Sequence, residues 1–302
     1  MTDGSRRAIV AALLANLGIA LAKLVAFLVT GAASMLAEAV HSVADTGNQA
    51  LLLLGGARAK RSATAEHPFG YGRERYFWAF VVALVLFTLG SLFAIGEGVQ
   101  KLRDPHEIVA PGWALGVLAV AIVLESFSLR TAVHEARRAK GAESWWSFVR
   151  HSKSPELPVV LLEDLGALLG LVLAALGVGL AMLLGDPRFD ALGSVAIGVL
   201  LGAIAVVLAV EMKSLLIGEG ASPADLAAIA DAFASAPGVR RVIHLRTLHL
   251  GPDELLVAAK VEIDPGQTGP VLAGTIDAAE SHVRARVPSA RVIYVEPDVF
   301  RS

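Results

Sequence analysis

The chain contains no cysteine, so disulfide bonds and thiolate metal ligands are both excluded. Charged residues are also scarce: they make up 18% of the 302 residues, whereas hydrophobic residues make up 55%. Soluble proteins carry about 25% charged residues, so this chain is too apolar to be soluble throughout. The net charge of −2 gives no indication of nucleic-acid binding. Any metal site must therefore be built from His, Asp and Glu.

Six apolar stretches are long enough to cross the hydrocarbon core of a bilayer, which takes about 20 helical residues. They cover residues 8–30, 33–56, 76–96, 113–133, 158–184 and 190–212. The first is longer than the apolar core of a cleaved signal peptide, which spans about 7–15 residues. The sequence therefore predicts an α-helical membrane protein with six transmembrane helices, in a domain over residues 1–215.

Basic residues cluster in the loops after the second and fourth apolar stretches. They are Arg58, Lys60, Arg61, Arg73 and Arg75 in the first loop, and Arg137, Arg138, Lys140, Arg150 and Lys153 in the second. Loops rich in Lys and Arg stay on the cytoplasmic side, so both termini are expected in the cytoplasm. Abundant Ala, Leu, Val and Arg, without a transit peptide, favour the inner membrane of a bacterium.

Residues 216–302 have the pattern of a soluble domain. The predicted elements are a helix over 222–236, strands over 239–250 and 255–263, a helix over 272–287 and a strand over 291–295. Ser222 and Pro223 are typical of a helix start, and the second strand alternates apolar with polar residues. The αββαβ order predicts a small α+β domain with its helices on one face of a sheet. Its core is small, so pairing with a second copy would help it.

The second apolar stretch carries a polar stripe formed by Glu38, His41, Asp45 and Asn48. Their spacings of three, four and three residues place all of them on one helix face. An imidazole and a carboxylate one turn apart supply half of a four-coordinate metal site, and ionisable groups at membrane depth point to function. The alternative is a polar seam that joins helices, but one or two Ser, Thr or Asn residues suffice for that.

The fifth apolar stretch supplies the expected partners of this stripe, Glu163 and Asp164. Adjacent helical residues point about 100° apart, so only one of them is expected at the centre of a site. Gly166 and Gly170 permit a close helix approach, which would bring Asp164 to His41. In the alternative arrangement the acids lie hydrated at the membrane interface, and this applies above all to Glu163.

Three further polar residues lie within the apolar stretches. Asn16 and Lys23 are seven residues apart and share one face of the first stretch. Lys23 is expected to pair with an acid or to extend towards the interface rather than to bind a metal. Glu125 is expected to pair with a basic or hydroxyl group. Glu38, Asn48 and Asn16 are candidates to support the metal ligands through hydrogen bonds.

Several segments together resemble the cation diffusion facilitator family. They are His41-x-x-x-Asp45, the loop Glu66-His-Pro-Phe-Gly-Tyr-Gly-Arg-Glu-Arg75, Leu124-Glu-Ser-Phe-Ser-Leu-Arg130, Asp190-Ala-Leu-Gly-Ser194 and the αββαβ tail with Leu248-His-Leu-Gly-Pro252. The segment Val160-Leu-Leu-Glu-Asp164 is similar to the branch that includes mitochondrial zinc exporters. The resemblance covers nearly the whole chain.

The resemblance implies a homodimer of six-span subunits with cytoplasmic tails of ferredoxin-like, metallochaperone-like fold. It implies export of a divalent metal, usually Zn²⁺, in exchange for protons, hence a secondary transporter rather than an enzyme. No His-Glu-x-x-His helix or Gly-x-Ser-x-Gly elbow argues for a membrane hydrolase. A non-transporting membrane metal sensor or scaffold is the alternative of a different class.

The central site of the family takes two ligands from the second span and two from the fifth, and His41, Asp45 and Asp164 match those positions. Val160 stands where zinc members commonly have His. The candidates to complete the shell are Glu163, Asn48 and a water molecule. One nitrogen and several oxygens favour zinc less strongly over manganese, iron or cobalt.

The peripheral sites of the family are only partly represented. His67 matches one of two loop histidines, but Tyr71 occupies the second position, so His67 is either a ligand or a structural loop residue. The candidates for a metal site in the tail are His244, Glu296 and Asp298, with His249 and His282 as outsiders. Arg73 is expected to form a charge lock with an acid such as Glu219 near the start of the tail.

Overall fold

The computed structural model describes the backbone of residues 3–299 and the side chains of residues 17–299. The chain forms two compact units. The first runs to Gly56 and resumes over Phe77–Met212, and the second comprises Ala57–Tyr76 and continues from Lys213. The predicted division into residues 1–215 and 216–302 stays a prediction. The loop over residues 57–76, which that division assigns to the membrane domain, groups with the C-terminal residues.

Long helices occupy all the predicted apolar stretches. They are α1 (Asp3–Thr30), α2 (Ala33–Arg58), α3 (Glu74–Val85) continued by a π-helical segment (Leu86–Leu92) and α4 (Phe93–Arg103), α5 (Pro111–Lys140), α7 (Glu156–Leu184) and α8 (Arg188–Ile217). The short helix α6 (Trp145–His151) lies between α5 and α7, and Ser144 caps its first turn. The π-helical segment leaves the helix from Glu74 to Arg103 continuous.

Among the described residues, four helices are long and apolar enough to cross a membrane: Glu74–Arg103, Pro111–Lys140, Glu156–Leu184 and Arg188–Ile217. The described part of α1 contributes a shorter apolar helix, Leu17–Thr30. The polar stripe lies on α2, which is not among the four. The chain thus has the apolar helices of a membrane protein, and the count of six crossings stays a prediction.

Glycines let α8 approach its neighbours closely. A Cβ atom at Gly198 would meet the Ser91 carbonyl of the π-helical segment at 2.8 Å, and one at Gly193 would lie 3.2 Å from the Leu173 carbonyl of α7. Backbones in membrane bundles approach this closely where small residues line the interface. Larger side chains at Gly193 or Gly198 would therefore push α8 away from these helices.

A buried ionic cluster around Asp190 holds the start of α2. The Asp190 carboxylate, fully buried at the beginning of α8, accepts the backbone N–H groups of Ala33 at 2.7 Å and Ser34 at 3.2 Å. It also pairs with Lys101 at 3.0 Å, and Lys101 donates to the Gly31 carbonyl at 2.8 Å. A carboxylate at a helix N-terminus satisfies unpaired N–H groups and complements the helix dipole. Asp190 therefore ties the first turn of α2 to α4 and α8.

The C-terminal residues have the predicted αββαβ order. The elements are α9 (Pro223–Ala234), β1 (Val239–Gly251), β2 (Glu254–Ile263), α10 (Gly269–Arg286) and β3 (Val292–Asp298). The central strand β2 is antiparallel to β1 and parallel to β3. The inward side chains of β2 pack against both helices, with Phe233 and Val283 among the fully buried residues. Both helices therefore cover one face of the sheet, as the sequence predicts.

The loop over residues 57–76 packs on the turn between β1 and β2. A Cβ atom at Gly72 would meet the Leu250 carbonyl at 2.6 Å, so the two backbones approach more closely than any other residue would permit. Arg75 pairs with Asp253 at 3.0 Å beside this contact. The loop between α2 and α3 is therefore part of the surface of the C-terminal unit.

Candidate metal centre

His41 and Asp45 lie one turn apart on α2, with 3.4 Å between His41 Nδ1 and Asp45 Oδ1. The His41 side chain is fully buried, and that of Asp45 is 13% exposed. Neither ring nitrogen of His41 has a hydrogen-bond partner among the described residues, and neither does Asp45 Oδ1. Buried polar atoms are nearly always paired in folded proteins, so these atoms mark a place that suits a cation or a proton.

Glu163 of α7 faces the α2 stripe. Its Oε1 accepts a hydrogen bond from Asn48 Nδ2 at 2.9 Å, and its carboxyl group faces that of Asp45. The Glu163 residue is only 3% exposed. It therefore lies within the protein rather than at a hydrated boundary.

Asp164, the next residue, points towards α5. Its Oδ2 accepts a hydrogen bond from Ser128 Oγ at 2.9 Å, and the residue is 8% exposed. Sequence reasoning missed Ser128, although it lies three residues after Glu125 and thus on the same helix face. Both acids of α7 are therefore buried, and each is held by a different neighbouring helix.

A small polar cavity lies between Asp45 of α2 and the two acids of α7. It has room for about one water molecule or ion. The residues that line it are Ile19, Ser42, Asp45, Gln49, Glu125, Ser128, Glu163 and Asp164. Four of these side chains are carboxylates, contributed by α2, α5 and α7, so the cavity favours a cation.

The candidate ligands meet in pairs rather than around one point. Among the residues whose side chains are described, no three His, Asp or Glu groups lie close enough together to hold a metal ion. The pairs are His41 with Asp45, and Asp45 with Glu163. Val160, half-buried one turn before Asp164, offers no donor atom. The described side chains therefore form ligand pairs and not a closed metal shell.

Lys23 of α1 pairs with Glu38 of α2 beside this cavity. The Lys23 ammonium donates to Glu38 Oε2 at 3.0 Å and to Ser42 Oγ at 2.7 Å. Of the two alternatives that the sequence leaves open for Lys23, the structure shows pairing with an acid, Glu38. Gly170 of α7 leaves room for this carboxylate, because a Cβ atom there would lie 2.5 Å from Glu38 Oε1. The Asn16 side chain, a predicted supporting group, lies outside the described side chains.

The predicted loop ligand His67 lies exposed on the loop over residues 57–76. Its ring packs edge-on against Tyr71, with 4.6 Å between the ring centroids, and the Arg61 guanidinium lies over the other ring of this pair. The backbone N–H of His67 donates to Thr64 Oγ1 at 3.1 Å. These contacts hold His67 within the loop, and its role as a metal ligand stays a prediction.

Asp298, one of the predicted tail ligands, lies two residues beyond Glu296 on β3. The other two, His244 and Glu296, lie in one row across the sheet, because each is a register partner of Lys260. Lys260 lies between them and pairs with Glu296 at 3.0 Å and with Asp298 at 3.1 Å. Hydrogen bonds to these two carboxylates raise the pKa of Lys260 above its ordinary value. The two acids are thus engaged by a cation that belongs to the chain.

The three tail histidines have different surroundings. His244 Nε2 accepts a hydrogen bond from Arg246 Nε at 2.8 Å. His249 is buried near the Gly251 carbonyl, and His282 is exposed on α10. His249 and His282 therefore lie outside the row of Lys260, whereas His244 belongs to it.

Arg73, proposed from the sequence to form a charge lock with Glu219, lies beside the start of the tail. A Cβ atom at Gly218, the residue before Glu219, would lie 3.4 Å from Arg73 Nη2. Arg73 Nε is buried without a hydrogen-bond partner among the described residues. The ion pair itself stays a prediction.

Comparison with known proteins places this geometry in a family context. The chain is 37% identical over 245 residues to the mitochondrial proton-coupled zinc antiporter SLC30A9 of Xenopus laevis. The alignment covers 80% of this chain and 44% of the relative. It is also 30% identical over 279 residues to the cation-efflux pump FieF of Serratia proteamaculans. That alignment covers 90% of this chain and 86% of the pump. The chain thus spans less than half the length of the SLC30A9 relatives.

A solved MamM-CTD structure covers 26% of this chain and 94% of its own, at 26% identity and a TM-score of 0.25. The family model described as the cation efflux transmembrane domain matches residues 9–217. Because that match covers more than half of the 302 residues, the chain belongs to the cation efflux family, the cation diffusion facilitators.

Proposed function

We propose that this chain exports a divalent metal ion, with Zn²⁺ as the main candidate, in exchange for protons. The site lies between α2 and α7, and its ligands are His41, Asp45, Asp164 and Glu163. One observation carries the proposal: the unpartnered nitrogens of His41 and Oδ1 of Asp45 are buried beside a cavity that both acids of α7 line. The name of the SLC30A9 relatives, proton-coupled zinc antiporter, supports the metal and the counter-ion.

Charge balance explains why this site suits a divalent ion. An ion that enters an apolar bundle must be neutralised there, because an uncompensated charge in a medium of low dielectric is very costly. Two carboxylates supply that neutralisation, and the imidazole adds the nitrogen ligand that zinc accepts readily. Asp45 and Glu163 face each other, so an ion between them would relieve the repulsion of two ionised groups.

The same groups account for proton exchange. Metal binding needs a neutral imidazole and ionised carboxylates, so protons and metal compete for them. In the state open to the cytoplasm, the metal displaces protons from the site. In the state open to the other side, protons load and the metal leaves. Helix groups that rock about a fixed site at the membrane midplane would expose that site to each side in turn.

The proposal includes the membrane setting. The chain would cross the inner membrane six times with both termini in the cytoplasm, and would act as a homodimer. The four strongly apolar helices and the family match support a membrane protein. The α2 helix joins them as a span whose polar stripe faces α7 instead of lipid.

The donor set also supports a second choice of metal. The α7 acids and Asp45 supply oxygen, while His41 is the one nitrogen donor and Val160 supplies none. A site with few nitrogens discriminates less sharply against manganese, iron and cobalt. These ions are therefore the alternative substrates. A metal sensor that does not transport is the alternative of a different class, and it would show metal binding without metal flux.

Transport by purified protein in proteoliposomes tests the proposal. We expect inward Zn²⁺ movement to be accompanied by outward proton movement. Asp45→Asn or Asp164→Asn should reduce the flux by about tenfold or more, because a bond to a charged group is worth about 1.5–3 kcal/mol. The matched control is Asp104→Asn, an exposed acid outside the site. Unchanged flux in both site variants would overturn the ligand assignment. A panel of Zn²⁺, Mn²⁺, Fe²⁺ and Co²⁺ identifies the metal.

A further inference from the structure

Lys23 is a fully buried lysine in a place that the proposed exchange does not use. Its ammonium group lies 3.0 Å from Glu38 Oε2 and 2.7 Å from Ser42 Oγ, and the Glu38 side chain is also fully buried. The two partners are four residues apart, so Lys23 bridges one turn of the α2 stripe. Because Ser42 also lines the cation cavity, this buried ion pair lies beside the cavity.

The other charged groups around this pair are all potential acids or bases of the exchange. They are His41 and Asp45 on α2, Glu125 on α5, and Glu163 and Asp164 on α7. Among the described residues, the buried Lys and Arg side chains are Lys23 and Lys101, and Lys101 pairs with Asp190 instead. Lys23 thus supplies the fixed positive charge beside the cavity.

A buried carboxylate without a partner must take up a proton or a cation, because leaving it ionised and alone costs several kcal/mol. Without Lys23, the buried Glu38 carboxylate would have to bind a proton or another cation. The Lys23 ammonium, 3.0 Å from Glu38 Oε2, supplies a counter-charge to this carboxylate from within the protein. Its second oxygen, Oε1, has no hydrogen-bond partner among the described residues and lies beside Gly170 of α7. Glu38 is therefore placed where it would exchange protons if it were not neutralised.

We propose that Lys23 is a tethered counter-charge that holds Glu38 out of the exchange, and so fixes how many protons the site gives up for each metal ion. This inference rests on the proposed function, because it concerns the proton count of that same site. Lys23 acts as a positioning residue: it touches Glu38 and Ser42, and neither is a proposed metal ligand. A merely structural Lys23 would hold α1 against α2 without any effect on the proton count.

Zinc binding to the full-length protein in detergent, measured over a series of pH values, separates these roles. The slope of log Kd against pH gives the number of protons that the metal displaces. We expect Lys23→Gln to steepen the slope by up to one proton, because Glu38 then binds a proton and the positive charge of zinc in the neighbouring site favours its release. Lys23→Arg keeps the charge and should keep the wild-type slope. The matched control is Lys60→Gln, an exposed lysine of the loop.

The double variant Lys23→Gln with Glu38→Gln gives a second test, even where the single variant does not fold. It removes both charges, so its slope should equal that of the wild type. A shallower slope would show that Glu38 already exchanges a proton in the wild type, and would overturn the inference. A folded Lys23→Gln protein with the wild-type slope would also overturn it. A wild type that binds no zinc would instead overturn the proposed function.

Discussion

Replacement of Asp190 by asparagine would remove the charge that holds the start of α2. The substitution keeps one oxygen that can accept the Ala33 and Ser34 N–H groups, but leaves the buried Lys101 ammonium without its carboxylate. Loss of one partner of a buried ion pair costs about 3–5 kcal/mol. Since the asparagine retains part of the cap, we expect a loss of about 3 kcal/mol in the free energy of unfolding.

For a protein of this size, about 3 kcal/mol corresponds to a fall of roughly 6–12 °C in Tm. Thermal unfolding of the purified protein in detergent measures it. Combining Asp190→Asn with Lys101→Met removes the unpaired ammonium, so the double variant should regain about half of the lost stability. The matched control, Asp104→Asn, changes an exposed acid and should leave Tm unchanged. A Tm for Asp190→Asn within about 1 °C of the wild type would refute the reasoning.

Three further predictions concern the site and the tail. Ser128→Ala removes the hydrogen-bond donor to Asp164. Because a hydrogen bond to a charged group is worth about 1.5 kcal/mol, the KM for zinc flux should rise by about tenfold. An unchanged KM would show that this hydrogen bond does not support the site. Gly170→Leu would force a side chain into the space of Glu38 Oε1, 2.5 Å from the Cβ position, so zinc flux should be lost while Gly179→Leu, at an open position, retains it. Because folding raises the pKa of Lys260, its ion pairs contribute stability below pH 10.5 that is lost as pH rises through the raised pKa. The Tm of the full-length protein should fall as pH rises above 10.5, and it should fall less in Lys260→Met than in the wild type. Equal falls in the two proteins would contradict this role of the Lys260 ion pairs.

The helices and the polar stripe are readable from the sequence because both depend on local periodicity. The spacing of His41 and Asp45 places them on one face of any helix, whatever surrounds it. The same holds for the αββαβ order of the tail, where alternation along β2 and the Ser222 cap are local signals. Burial and pairing across the sheet then follow from the elements that these signals define.

Which groups face each other depends on contacts far apart in the chain, and no local pattern encodes them. Asn48 and Glu163 are separated by 115 residues, and Ser128 and Asp164 by 36. The sequence predicts that only one α7 acid is central, because adjacent residues diverge on a helix. The structure shows that both are buried, since α2 receives one and α5 receives the other.

The Asp190 cluster is the clearest case of a feature beyond the reach of sequence reasoning. Asp190 and Ala33 are 157 residues apart, and Lys101 reads as an ordinary loop cation at the end of an apolar stretch. The signals in the sequence are an acid at the first turn of α8 and the resemblance of the segment from Asp190 to Ser194 to the family, and neither names the partners of Asp190. The fold alone brings this acid to the start of α2, where it satisfies N–H groups that a helix leaves unpaired.

Uphill zinc movement driven by a proton gradient tests the central claim most directly. Proteoliposomes of the wild-type protein, loaded with acid and placed in neutral buffer with a low and equal zinc concentration on both sides, should accumulate zinc against its own gradient. A proton ionophore should abolish the accumulation, and Asp45→Asn should show none. Zinc that only equilibrates between the two sides, whatever the pH difference, would contradict proton-coupled exchange at this site.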